Sequence, residues 1–149
     1  MEFGIIRRLE DGGYFLGPHS SDYLIYLGHI FTDGQSFTKK IIEQLSKTDF
    51  RGFAGNITTV RPGTNNDKVQ IGDEFWFEYD TEPIEIDKQE LLRVAKEGLS
   101  LMEKDVAYIV LTREDEKSPI AITDQLPDAM ELFEQGYETK ARYKGKIYT

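Results

Sequence analysis

The chain reads as an α+β protein: a mostly antiparallel sheet with about three helices packed on it. Three observations predict this class. Apolar residues recur at helical spacing in three separate stretches. Elsewhere, short runs rich in Val, Ile, Tyr and Phe carry the strand period of two. The strongest turn signal, "RPGTNNDK" (Arg61 to Lys68), lies between two such runs and reads as a loop joining two strands.

Taken in chain order, "GGYFLG" near Tyr14 predicts a strand following a turn at Asp11, Gly12 and Gly13. "DYLIYLGHIF" (Asp22 to Phe31) is continuously apolar, which suits either a buried strand or a short buried helix. "SFTKKIIEQLSK" predicts the first clear helix, with Ser36 as N-cap and Phe37, Ile41 and Leu45 four apart on one stripe. "FAGNITTV" brings a β-branched run into the loop at 61–68. Beyond it, "VQIGDEFWFEYD" places Val69, Ile71, Phe75, Phe77 and Tyr79 on one face and Glu74, Trp76, Glu78 and Asp80 on the other. Asp73 breaks the apolar face beside Gly72, as a bulge does. A linker then leads to Asp87, which forms a capping-box-like pair with Glu90. The helix that follows carries an apolar stripe of Leu91, Leu92, Ala95, Leu99 and Met102, and Gly98 within it implies close packing, expected against the sheet. "VAYIVLT" from Val106 and "SPIAIT" around Ile120 predict strands. "DQLPDAMELFEQG" predicts a third helix, capped by Asp124, stopped by Gly136 and buried through Leu126, Met130 and Phe133. "YETKARYKGKIYT" predicts a last strand.

With 149 residues, the chain has the length of one globular domain, residues 1–149, able to bury a substantial core. No run is apolar enough to span a bilayer, and "MEFGIIRRLEDGG" lacks the basic start and apolar stretch of a signal peptide. Cysteine is absent, which excludes disulfides, thiolate metal sites and a thiol nucleophile. A cytoplasmic location is therefore expected. The net charge of −9 argues against direct nucleic-acid binding, which needs clustered Lys and Arg, and favours a basic partner; no membrane partner is expected.

That charge is unevenly placed. Residues 67–105 hold 12 acids against 5 bases. Within them "GDEFWFEYDTEPIEID" (Gly72 to Asp87) carries seven carboxylates, no base and the chain's single tryptophan, Trp76. The tail runs the other way: Lys140, Arg142, Lys144 and Lys146 recur at every second residue as a basic strand face. If that face lies beside Glu74, Glu78 and Asp80, cross-strand pairs of roughly 0.2–1 kcal/mol each would neutralise part of the strip. Otherwise the strip is open to a partner, with Trp76 as an aromatic anchor ringed by carboxylates.

Catalytic patterns are scarce. The two histidines are His19, in a loop-like stretch, and His29, in an apolar run where packing is the commoner role. There is no nucleophile elbow, no phosphate loop and no His-Glu-x-x-His. "DTEPIEID" gives only weak support for Ca²⁺ binding, because Pro83 and two isoleucines occupy the loop and no Gly makes the turn of an EF-hand. No metal and no cofactor are expected.

An acidic, cysteine-free α+β chain of this size without a catalytic constellation resembles the immunity proteins of bacterial polymorphic-toxin and contact-dependent growth inhibition systems. The resemblance lies in general character over the whole chain and not in a motif. It implies a stoichiometric inhibitor that binds one cognate toxin, often a basic nuclease, in the cell that makes it. The charge pattern itself nominates Glu74, Trp76, Glu78, Asp80, Glu82 and Glu85 to meet a Lys/Arg-rich surface. Two other readings stand beside this one: a metal-binding or hydrolytic enzyme using the acidic cluster with His19 or His29, and an oligomerising accessory domain with exposed strand edges.

Overall fold

The computed structural model describes residues 1–55, 58–73 and 83–126. Among them the fold is α+β, and all the strand pairing is antiparallel. In chain order the elements are β1 (Glu2–Arg8), β2 (Tyr14–His19), α1 (Asp22–Thr32), α2 (Gln35–Leu45), β3 (Phe53–Ala54), β4 (Thr58–Pro62), β5 (Lys68–Asp73), β6 (Ile84–Asp87), α3 (Lys88–Glu103), β7 (Tyr108–Arg113) and β8 (Ala121–Thr123). The strands divide into two four-stranded sheets. The first has the order β2-β1-β7-β8, and the second runs β3-β4-β5-β6.

The ambiguous stretch at 22–31 is helix α1. Ser21 caps it, its hydroxyl accepting the Leu24 N–H. Its continuous apolar character has a structural reason. Leu24, Ile25, Leu27, Gly28, Ile30 and Phe31 are all buried, and the helix touches strands of both sheets. It packs closely on the first sheet. A Cβ on Gly4 would lie 3.3 Å from the backbone of α1, and one on Gly28 would lie 2.7 Å from Ile6 Cδ1.

Strand β1 was not foreseen. It lies between β2 and β7, with Ile6 opposite Ile109 on the face towards α1 and Ile5 opposite Val110 on the other face. All four are fully buried, so the centre of this sheet is covered on both sides. One contiguous buried cluster then joins Ile6, Ile109 and Leu111 of the first sheet to Val60, Val69, Ile71 and Ile86 of the second through the helices.

The α2 stripe falls as its spacing predicts, with Phe37, Ile41 and Leu45 buried; on α3 Leu91, Ala95 and Met102 are buried and Val94 joins them, while Leu92 and Leu99 of the expected stripe are half-buried. Three local expectations need correction. Ser36 lies inside α2; Gly34 holds the N-cap position, with a φ of +97° that glycine tolerates. Gly98 faces another helix and not the sheet, since a Cβ there would collide with the Phe31 ring of α1. The linker ahead of α3 contains strand β6, whose four residues pair with Lys68 to Ile71 of β5. From Pro127 onward, the predicted third helix and the basic tail lie outside the described residues, as do Phe75, Phe77 and Tyr79.

Candidate functional site

Of the six residues nominated to meet a partner, Glu85 is described; Glu74, Trp76, Glu78, Asp80 and Glu82 lie outside the described residues. What the structure fixes is the frame around them. Strand β5 ends at Asp73 and β6 begins at Pro83's neighbour Ile84, and the two strands are hydrogen-bonded neighbours with Ile71 opposite Ile84. On the other side of β5, Thr58 of β4 pairs with Asp73. Both ends of the acidic stretch are thus anchored on adjacent strands at one end of the second sheet. The core residues Val69, Ile71 and Ile86 hold those strands in place.

Glu85 sits on β6 opposite Gln70. Its Oε1 accepts the Thr64 N–H at 2.7 Å, which ties the β4–β5 loop to the next strand. The loop carries Gly63 at this contact, where a Cβ would meet Glu85 Oε1 and Lys68 at 2.6 Å. Asp87 occupies the N-cap position of α3 but makes no side-chain cap bond. Its carboxylate instead takes Lys68 Nζ across the strand pair, and that hydrogen bond holds the lysine above its usual range. Glu90 likewise does not close a capping box, because Arg93 binds it and also Glu97 and the Ile120 carbonyl.

Beside β6 lies a cleft of about 500 Å³. It is lined by Tyr23 of α1, by Lys68, by Glu85 to Asp87 with Glu90, and by Arg113 with the loop at 116–120. Arg113 ends β7 opposite Glu2, its Nε donating to Glu2 Oε2 at 2.6 Å. The guanidinium also stacks on the Tyr23 ring, 4.1 Å from its centroid, and only 8 % of the side chain is exposed. The Arg113 hydrogen bond pulls the Glu2 carboxyl below the usual carboxylate range. Burial pushes the Tyr23 phenol up, against the opposing pull of Arg113. The Tyr23 hydroxyl donates to the Glu85 carbonyl at 3.3 Å, so one side chain touches both sheets. On the loop, Asp115 accepts the Lys117 N–H at 2.8 Å and the Ser118 hydroxyl at 3.0 Å, which hold its carboxyl below the usual range. Sequence reasoning missed Tyr23, Arg113 and Glu2. The pair is 111 residues apart, and no local pattern signals it.

His19 ends β2 instead of lying in a loop; its Nε2 is 3.6 Å from Asp22. His29 is half-buried on α1, its ring tilted against Tyr26 with centroids 6.0 Å apart. The two histidines therefore sit on separate elements, and among the described residues no group of three His, Asp or Glu could hold a metal ion. Nor, among the described residues, is any helix long and apolar enough to cross a membrane. No protein-family model matches the chain, and no curated protein and no solved structure matches it either.

Proposed function

We propose that this chain is a non-enzymatic, cytoplasmic protein of the immunity type, binding and neutralising a basic toxin domain through the acidic stretch Glu74, Trp76, Glu78, Asp80, Glu82 and Glu85. The observation that carries the reading is the bracketing of that stretch by β5 and β6. The densest run of carboxylates in the chain, with its one tryptophan, is held at both ends by hydrogen-bonded strands rooted in the core. Fixing the ends of a binding segment lowers the entropy lost when a partner docks. Excess negative charge steers a Lys/Arg-rich surface towards it and accelerates encounter at low salt.

The test is growth rescue. The genes adjoining this one are read for a basic toxin domain, and any that is found is expressed with and without the chain in the same cell. Rescue by the wild-type chain is expected, through a 1:1 complex whose association slows as salt screens the charges. The double reversal Glu78→Lys, Asp80→Lys is expected to lower the association rate at low salt by tenfold or more. Unchanged rate and affinity in that variant would remove the acidic stretch as the docking site, and absence of rescue by the wild-type chain would remove the immunity reading.

A further inference from the structure

We infer that the outer edge of β6 is a strand-addition slot, filled by an extended, lysine- or arginine-bearing segment of the partner. This rests on the reading that the chain binds a basic protein and specifies how.

The phase of the β5–β6 ladder follows from one bond. Lys88 N–H donates to the Asp67 carbonyl at 2.8 Å. In an antiparallel pair that bond flanks a non-hydrogen-bonded position, which here is Lys68 opposite Asp87. Alternation then makes Val69 and Ile86 a hydrogen-bonded pair and Gln70 with Glu85 a non-bonded one. The backbone N–H groups of Glu85 and Asp87 therefore point away from β5. Among the described residues β6 is the last strand of its sheet, and neither N–H meets a protein acceptor. Both point to the side where the cleft of about 500 Å³ opens between this edge and Arg113 of the other sheet. The outward carbonyl of Glu85 is held by the Tyr23 hydroxyl at 3.3 Å, which leaves a second lone pair for a peptide N–H, while that of Asp87 opens α3.

Charge selects the occupant. Lys68 is engaged by Asp87 and Arg113 by Glu2. Glu90 is engaged by Arg93, so the cleft's remaining charged groups are Glu85, Glu116 and Lys117, an acidic balance. Glu85 and Asp87 project from the same side of β6, where every second side chain of an added strand would lie beside them. The edge is also continuous with the acidic stretch, since Glu85 belongs to both. A segment paired here would use main-chain bonds for affinity and alternate basic side chains for selection.

The experiment uses the wild-type chain and a capped seven-residue peptide alternating lysine with valine, followed by amide NMR. The Glu85 and Asp87 amide protons are expected to move downfield and to show the largest shifts in the chain, with at least tenfold slower hydrogen exchange at saturation. The same peptide methylated at every backbone nitrogen, and a glutamate-for-lysine version, are expected to leave both amides in place. Unmoved amides with the lysine peptide, or equal movement with the methylated one, would overturn the inference. Growth rescue together with unmoved amides would sink the strand-addition slot and keep the immunity reading; moved amides without rescue would do the reverse.

Discussion

The two sheets are built from the same number of strands and the same pairing sense, yet they solve opposite problems. The second sheet is local: β3 to β6 follow one another along residues 53–87, each hydrogen-bonded to the next in sequence. The first sheet is long-range, for β1 must find β7 across most of the chain. Its central residues are buried on both faces, whereas among the described residues the second sheet ends at β6 beside a cleft. Sequence-local strands close their loops at small entropic cost and can carry an acidic insertion between two of them; the long-range sheet contributes burial. The part of the molecule proposed to bind is thus the part whose strand pairing is most local in sequence.

The largest test of that contrast is kinetic. Ile71→Ala and Ile109→Ala each remove a fully buried side chain, one per sheet, and each is expected to cost about 3 kcal/mol. Stopped-flow folding should show Ile71→Ala acting mainly on the folding rate and Ile109→Ala mainly on the unfolding rate, because local contacts form first. The reverse partition would break the contrast. Next comes Gly98→Ala. The added methyl collides with Phe31, so α1 must shift, at an expected cost of about 2 kcal/mol in denaturant titration. Since α1 touches both sheets, hydrogen exchange should accelerate in both together.

Arg113→Met should act on the first sheet, lowering stability by about 1–2 kcal/mol, a value reduced because Glu2 is 30 % exposed. Glu2 is depressed in the folded state, so its contribution is present above its ordinary value of 4.5 and fades as pH falls through the lower folded value. The variant should therefore show a shallower loss of stability below about pH 4.5 than the wild type does. The smallest effect belongs to Glu85→Ala. It frees the Thr64 amide, and exchange at that amide alone should rise about fivefold, equivalent to about 1 kcal/mol.

The sequence made some of this plain and hid the rest for identifiable reasons. Helix stripes and the loop at 61–68 were legible because both are local: spacing of four residues in one case, Pro, Gly and Asn in the other. β1 and β6 were not. β6 is four residues long, and its pattern is defined by opposing Lys68 to Ile71 rather than by itself. The capping box at Asp87 and Glu90 failed because two cations compete for those carboxylates, Lys68 from the neighbouring strand and Arg93 from the same helix. At the site, composition pointed to Glu85 but read it as free charge. Its carboxylate in fact organises a loop, and its backbone, which no side-chain pattern reports, lines the cleft.

The position of β1 also sets a clock. During synthesis, β2 is available to it almost at once, but Arg113 emerges 111 residues after Glu2. At typical elongation rates the second edge of β1 waits about 5–20 s for its partner. A β1 strand formed in that interval would carry Ile5 and Ile6 with one unpaired side, the kind of surface that seeks other chains. A stalled or truncated nascent chain ending before Tyr108 would leave that edge permanently open, so the yield of soluble protein should depend on how fast ribosomes traverse the middle of the message.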